Sequence, residues 1–256
     1  MKHFGLIGHP LGHSFSPIIH NKLFKEKGIE ADYKLLDTMQ DDLKMRIDEL
    51  RAGKFAGYNV TIPYKIEIMK YLDEISPEAL QIGSVNTICM KNGKAIGYNT
   101  DYFGFKRELE YYQITVKDVN AYVLGTGGAS KAIHKALIDM GANVTLVSRH
   151  PNHNIISYDE LKKRDIDLIV NTTPVGMYPN VDSSPLDEAV ASKANGIVDI
   201  IFNPSVTKLM SYNKNSYNGL LMLIFQAAEA EDIWLDKTYN INYDEIIKDV
   251  RGDIGE

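Results

Sequence analysis

Ala121-Tyr122-Val123-Leu124-Gly125-Thr126-Gly127-Gly128-Ala129-Ser130 is the stretch that decides the fold. Its opening apolar run reads as a strand. A glycine-rich turn follows at once, and the chain then continues helically to Met140. Gly141 closes that helix, and Asn143-Val144-Thr145-Leu146-Val147 is the next strand. Strand, turn, helix and strand make one βαβ unit. Asp167-Leu168-Ile169-Val170-Asn171 and Ile197-Val198-Asp199-Ile200 add two further strands. All are largely apolar, as in a parallel sheet covered on both faces.

The glycines have a chemical reading as well. Gly125 and Gly127 let the backbone turn tightly and approach a pyrophosphate. The unpaired N–H groups at the helix start, near Gly128 and Ser130, then bind the anion. The spacing is G-x-G-G-A-S, with Ser130 where a third glycine often stands. It suits a dinucleotide cradle or an ordinary tight turn. The following strand ends in Val147-Ser148-Arg149-His150, without the carboxylate that holds the ribose hydroxyls of NAD. If a dinucleotide binds, Arg149 pairs with a 2′-phosphate, with Ser148 assisting, and the cofactor is NADP. Otherwise Arg149 is a solvated loop residue.

Upstream lies a different pattern. Polar pieces recur beside short apolar stretches: His13-Ser14-Phe15-Ser16-Pro17, Asn59-Val60-Thr61-Ile62-Pro63-Tyr64-Lys65, Ser84-Val85-Asn86-Thr87 and Asn99-Thr100-Asp101. They offer hydroxyls, amides, an ammonium and a carboxylate, which suit a small polyhydroxylated acid. Hydride transfer to a ketone leaves an alkoxide that needs a proton, and Lys65 can supply it. Asp101 is its natural partner. The competing reading makes Lys65 a surface helix residue and Asp101 the N-cap of a helix from Phe103. Ser14 and Ser16 form a carboxylate seat or cap the helix entered at Pro17, whose apolar side is Ile18, Ile19 and Leu23. Asn59, Thr61 and Asn86 read ring hydroxyls or shape turns. His9, His13 and His20 have no metal-ligand spacing, so no metal is expected.

Composition narrows the classes. The 256 residues carry 28 Lys and Arg against 34 Asp and Glu, a formal charge of -6. That balance provides no reason to expect nucleic acid or an anionic membrane as partner. The single cysteine, Cys89, excludes an internal disulfide and suits a reducing compartment. Pro10 and His13 come too early for a signal peptide, and no apolar run is long enough to span a bilayer. Asn92-Gly93 between Val85–Met90 and Ala95–Tyr98 marks a hairpin. The length suits an α/β protein of two domains, residues 1–101 and 102–218, with the helices of 219–256 able to complete either.

The ordered motifs closely resemble the shikimate dehydrogenase family. They begin with Gly8-His9-Pro10-Leu11-Gly12-His13-Ser14-Phe15-Ser16-Pro17 and His20-Asn21, then Asn59 to Lys65 and Gly83 to Thr87. Gly97 to Phe105, Gly125 to Ser130 and Asn171-Thr172-Thr173-Pro174-Val175-Gly176-Met177 follow. Asn203-Pro204 with Thr207, and Asn218-Gly219-Leu220-Leu221-Met222-Leu223 with Gln226, close the series.

The resemblance implies an N-terminal α/β substrate domain, a Rossmann-like dinucleotide-binding domain, and C-terminal helices that return to the first. It implies a cytoplasmic enzyme of aromatic amino-acid biosynthesis that reduces 3-dehydroshikimate to shikimate with NADPH, as monomer or homodimer. Lys65 and Asp101 would be its catalytic pair. Ser14, Ser16, Asn59, Thr61, Asn86 and Gln226 would line the substrate pocket, joined by Tyr212 from the cofactor-domain side. Gly125, Thr126, Gly127, Gly128, Ala129, Ser130, Ser148, Arg149, Thr173 and Gly219 would hold the cofactor.

Two departures from the family pattern stand out. After Arg149 the string His150-Pro151-Asn152-His153 lacks a second basic residue unless His153 substitutes, which weakens the expected NADP selectivity. Ser211 to Tyr217 is polar and short where the family has a helix and strand, so local remodelling is expected. The rival activities are a quinate/shikimate dehydrogenase using NAD and NADP alike, a methylene-tetrahydrofolate dehydrogenase, and a non-catalytic nucleotide-sensing regulator. The serine pair and Asp101 fit a small hydroxylated acid better than a pterin. The regulator reading is favoured by loss of Lys65 or Asp101, and both are present.

Overall fold

The computed structural model describes residues 1–12 and 14–254. His13, one of the three N-terminal histidines considered above, lies outside the described residues. The chain divides into two compact units, Met1–Gly104 with Ile224–Glu256, and Phe105–Leu223.

In the first unit the order is β1 (Lys2–Gly8), α1 (Ser16–Glu26), β2 (Ala31–Asp37), α2 (Leu43–Arg51), β3 (Gly57–Val60), β4 (Glu74–Ile75), α3 (Pro77–Ile82), β5 (Thr87–Lys91) and β6 (Lys94–Tyr98). Helix α4 (Thr100–Tyr111) begins there and carries the chain into the second unit. The sheet runs β2-β1-β3-β5-β6-β4. Strand β1 is parallel to β2 and β3, while β5 is antiparallel to β3 and β6. Asn92 and Gly93 turn the β5–β6 hairpin with φ of 53° and 76°, the left-handed pair that a tight hairpin requires. After β3, Glu67–Tyr71 forms a short 3₁₀ helix.

The buried face of α1 is Ile19, His20, Leu23 and Phe24, spaced for one side of a helix. The sequence reading differs by one position, since Ile18 is exposed and His20 takes its place in the core.

The second unit holds β7 (Asn120–Leu124), α5 (Gly128–Asp139), β8 (Asn143–Val147), β9 (Ile155–Ile156), α6 (Tyr158–Leu161), β10 (Leu168–Asn171), α7 (Glu188–Ala191), β11 (Gly196–Asp199), α8 (Lys208–Ser211) and β12 (Ser216–Asn218). Every pairing described in its sheet is parallel, in the order β12-β11-β10-β7-β8-β9. Counted from β7, that is the doubly wound order of dinucleotide-binding folds. Helix α5 buries Ala132, Ile133, Ala136 and Leu137. The remodelling expected over Ser211 to Tyr217 does not occur. Thr207 caps α8 by accepting the Met210 N–H at 3.3 Å, and β12 pairs with β11. Four residues, 212–215, suffice for the connection from α8 to β12 because Asn213 fastens it to the carbonyls of Ala191 and Ala194.

Helix α9 (Leu220–Leu235) crosses back, and α10 (Tyr243–Ile254) follows in the first unit. Trp234 anchors the return. Its ring stacks on Phe4 at 4.6 Å, and its Nε1–H donates to the Ile88 carbonyl at 3.1 Å. Both passages between the units lie inside helices, at 104/105 in α4 and 223/224 in α9, a few residues beyond the expected boundaries at 101 and 218.

Glu108 of α4 is fully buried, and among the described residues its carboxyl oxygens have no hydrogen bond. The Met222 N–H approaches them but falls short of hydrogen-bond geometry. Burial pushes this carboxyl well above its ordinary value of 4.5, and the approaching N–H offsets that only in part. A raised native value means that the folded state binds more protons than the unfolded one. The contribution of Glu108 to stability is therefore fullest at or below pH 4.5 and falls as pH rises toward the native value. Glu108→Met should remove that slope and add about 1–3 kcal/mol of unfolding free energy at pH 8. Denaturant titration of parent and variant from pH 5 to pH 8 checks it; parallel curves would count against the buried-acid account.

Candidate functional site

Register places the polar pieces of the first unit on one edge of its sheet. Ile7 of β1 pairs with Val60 of β3, so the loops after both strands leave together. The Thr61 N–H donates to the Ile7 carbonyl at 2.9 Å, and the His9 N–H to the Ile62 carbonyl at 3.3 Å. Asn59 opposes Thr87, and Thr87 opposes Tyr98, which brings the start of β5 and the end of β6 to the same edge. Ser14, Ser16, Thr61, Lys65, Asn86 and Asp101 all follow or precede these strand ends.

At this edge Lys65 Nζ donates to Asp101 Oδ2 at 2.5 Å. Lys65 lies in a turn before the 3₁₀ helix, not on a surface helix, and its side chain is only 15% exposed. Its carbonyl accepts the Val85 N–H at 2.8 Å, tying that turn to the strand beside Asn86. Asp101 stands in the first turn of α4, where the helix N-terminus favours a carboxylate. The cap itself is Asn99, whose Oδ1 accepts the Tyr102 N–H at 3.3 Å. Asp101 is thereby left for Lys65 and for Asn86, whose Nδ2 donates to Asp101 Oδ1 at 2.9 Å.

Asn86 is held tightly. Its Oδ1 accepts the Thr100 N–H at 2.7 Å and the Thr87 hydroxyl at 3.1 Å. Thr100 also reaches Gln226 Oε1 at 3.4 Å, so α9 contributes to the edge. Asn59 is held as closely. Its Oδ1 accepts from the Tyr33 hydroxyl and faces His20 Nε2, while its Nδ2 donates to the Asn86 carbonyl and the Thr87 hydroxyl. Both ends of this buried amide are bonded inside the protein, which makes Asn59 a strut between α1, β2 and β5.

The serines divide their work. Ser14 Oγ accepts the Ser16 N–H at 3.3 Å, and Phe15 occupies the N-cap of α1 without a side-chain cap. Capping by Ser16 is therefore not what the structure shows. Among the described residues the half-buried Ser16 hydroxyl has no hydrogen bond, and the Thr61 hydroxyl likewise has none.

In the second unit, Gly125 ends β7 with φ of 105°, and a Cβ there would meet Thr172 Oγ1 at 2.9 Å. Only glycine suits that turn. A Cβ at Gly127 would meet nothing within 4 Å, so the backbone leading into α5 is open. The first bond of this helix start is from the Lys131 N–H to the Gly127 carbonyl, which leaves the N–H groups of Gly128, Ala129 and Ser130 directed outward. The buried Ser130 hydroxyl donates to the Gly125 carbonyl at 2.7 Å and braces the loop. Ser148 Oγ accepts the His150 N–H at 3.1 Å, which shapes the turn that presents Arg149. Arg149 is exposed and makes no hydrogen bond or ion pair among the described residues.

Thr173 is fixed by Asn171, whose Oδ1 accepts its hydroxyl at 2.8 Å. Asn171 in turn donates to Asp199 at 3.0 Å, and Thr207 donates to Asp199 at 2.7 Å. The Ile201 N–H donates to it as well, and burial pushes the Asp199 carboxyl up to about 6 against the lowering effect of these three donors. Gly219 packs against the Ile200 backbone. Tyr212, expected to join the substrate pocket, lies half-buried against the core around Leu209 and Val190 of the second unit. Among the described residues, no group of three His, Cys, Asp or Glu is placed to hold a metal ion. Among the described residues, no helix is long and apolar enough to cross a membrane.

Sequence reasoning left Thr87, Asn99 and Thr100 without roles, although each stands inside a quoted motif. It missed Glu231 and Lys27 altogether. The available signal was an acidic cluster, Glu229, Glu231 and Asp232, inside a helix whose first half is apolar apart from Gln226.

A family model described as the shikimate dehydrogenase substrate binding domain matches residues 6–88. The shikimate dehydrogenase (NADP(+)) of Clostridium beijerinckii is 44% identical over 248 residues, spanning 91% of this chain and 92% of that protein. Among solved structures, a chorismate mutase/shikimate 5-dehydrogenase fusion protein from Clostridium acetobutylicum matches with a TM-score of 0.96 at 39% identity, covering 100% and 99% of the two chains. Shikimate 5-dehydrogenase from Thermus thermophilus, in complex with NADP(H) and shikimate, matches with a TM-score of 0.88 at 32% identity, covering 98% and 99%.

Proposed function

The chain belongs to the shikimate dehydrogenase family, and from that premise we propose that it catalyses the reversible NADP(H)-dependent reduction of 3-dehydroshikimate to shikimate. The observation that carries this reading is the Lys65–Asp101 hydrogen bond at 2.5 Å, placed on an edge of hydroxyls and amides. When bound, NADPH supplies the hydride. Lys65 holds the proton that the new alkoxide takes up, and receives it back in the reverse direction. Asp101 orients Lys65 and accepts from a neighbouring substrate hydroxyl. Ser16 and Thr61, with hydroxyls still available, bind the substrate, and Ser14 sets the turn that presents Ser16. Asn86 holds Asp101, and Gln226 holds Thr100 beside it.

The second unit suits the cofactor. An open backbone at Gly127 and outward N–H groups at the start of a helix form an anion cradle. Gly125, Thr126, Gly127, Gly128 and Ala129 would hold the pyrophosphate. Ser130 braces their loop, Thr173 stands beside Gly125, and Gly219 keeps the start of α9 against Ile200. Arg149 would take the 2′-phosphate on the turn that Ser148 shapes. The protein acts on a small soluble acid, and its buried unpaired Cys89 suits the reducing cytoplasm.

The test is an absorbance assay of NADP reduction by shikimate, repeated with quinate and with NAD. NADP reduction by shikimate is expected, and its absence overturns the proposal. Equal rates with quinate and NAD would favour the dual-specificity rival. Arg149→Ala should weaken NADP by about ten- to a hundredfold, as loss of a charge-assisted hydrogen bond of roughly 1.5–3 kcal/mol requires. NAD affinity should hardly change. Equal losses for both cofactors would remove Arg149 from the phosphate site.

A further inference from the structure

His20 is buried on α1, stacked on Tyr33 with ring centroids 4.1 Å apart. Its Nδ1 lies 2.8 Å from Glu231 Oε1, and its Nε2 lies 3.1 Å from Asn59 Oδ1. The positions of the protons follow from obligate partners. The Asn86 carbonyl can only accept, so the Asn59 atom 3.2 Å from it is the amide nitrogen. The other end of that amide is then its oxygen, which also can only accept. Nε2 must therefore carry a proton and donate to it, as the Tyr33 hydroxyl does at 2.8 Å. One further proton lies between Nδ1 and the Glu231 carboxyl. The buried Lys27 ammonium lies 3.2 Å from Glu231 Oε2 and 2.8 Å from Asp232 Oδ1 on the far side of that carboxyl.

From Asn59 the network continues to the reacting pair. Asn59 Nδ2 donates to the Asn86 carbonyl and to the Thr87 hydroxyl, which donates to Asn86 Oδ1. Asn86 Nδ2 donates to Asp101, and Asp101 accepts from Lys65. Every member belongs to the first unit.

We propose that His20, sharing a proton with Glu231, is a positioning residue for Asp101 and Lys65, acting through Asn59 and Asn86. The proposal rests on the reading of Lys65 and Asp101 as the reacting pair. The physical reason is the softness of an asparagine amide, whose terminal torsion is broad unless both ends are held. Without the Nε2–H, Asn59 Oδ1 keeps Tyr33 alone, and the amide can swing away from Asn86. A misplacement of about 1 Å at reacting groups costs on the order of 10²-fold in rate.

Two variants separate this role from packing. In His20→Asn the shorter amide can still donate toward Glu231 but does not reach Asn59. In His20→Gln the amide nitrogen reaches the place of Nε2. His20→Asn should lower kcat for shikimate by about 10- to 100-fold. Its KM should move far less, and NADP affinity, read by fluorescence titration, should hold within about twofold. His20→Gln should recover most of the loss. If both variants lose thermal stability but keep the parental kcat per folded molecule, the role is packing and the proposal fails.

A nitrogen NMR spectrum of the parent's imidazoles covers the case in which the variants do not fold. A protonated Nε2 on His20 is expected, and an unprotonated Nε2 overturns the proposal. A parent inert toward shikimate would overturn the assigned activity and the positioning role together. An active parent with unaffected variants would overturn the positioning role alone.

Discussion

Lys65→Ala lowers shikimate turnover by about 10²–10⁴-fold, the contribution of a general acid–base group, and leaves NADP binding nearly intact. The expectation follows from geometry in the first unit. Lys65 is fixed by its carbonyl bond from Val85 and by Asp101, so its ammonium is oriented before any substrate arrives. An ammonium so placed can both donate and reclaim a proton. Removing it leaves Asp101 without its 2.5 Å partner, and Asn86 still holds the other carboxylate oxygen. The fold should therefore survive, and circular dichroism with cofactor titration verifies that. Asp101→Asn preserves the shape but should lower both turnover and shikimate affinity, since acceptance from the substrate and from Lys65 are lost together. A folded Lys65→Ala enzyme working at the parental rate would place the proton elsewhere and return Lys65 to a surface role.

Gly219→Ala should destabilise the protein by about 3 kcal/mol, at the upper end for overpacking. A Cβ at this position would lie 2.2 Å from the Ile200 carbonyl oxygen and 2.6 Å from the Ile200 Cα. Both obstacles are backbone, so no side-chain rotation relieves them. The Ile200 N–H is bonded to the Asn171 carbonyl, and the Gly219 N–H to the Ile201 carbonyl. Moving either segment strains the sheet strands on which Thr173 and Asp199 depend. The measurement is the midpoint of denaturant unfolding, with unchanged slope. A variant as stable as the parent would show that the two backbones can part freely. The resemblance alone gave Gly219 to the cofactor; its packing provides a reason for glycine that needs no ligand.

The βαβ unit was legible because Gly125, Gly127 and Gly128 punctuate a strongly apolar pattern within a few residues. The β5–β6 hairpin was legible for the same reason, since Asn92-Gly93 specifies a local backbone conformation. Short elements were harder. Glu74–Ile75 and Tyr158–Leu161 are too brief to show a period, although Ser157 and Glu160 form a capping box that a closer local reading could have found. Choices between capping and chemistry were not legible either. Asp101 and Asn99 both stand at the start of α4, and only the position of Lys65 across the turn decides which one caps.

The sequence by itself determined the strand–turn–helix of the cofactor unit, the hairpin, and the identity of Lys65 and Asp101 as candidates. These rest on hydrophobic periodicity, turn chemistry and residue type, which act over a few neighbouring residues. The tertiary structure alone decided which polar groups remain for a ligand. Asn59 and Ser130 have suitable side chains, but burial beside obligate partners consumes them. His20 meets Glu231 across 211 positions of chain, because α9 returns to lie against α1 and β3. No local pattern encodes such a meeting. Two segments far apart in sequence find each other through shared apolar burial, and the hydrogen bonds then follow from what that burial has placed within reach.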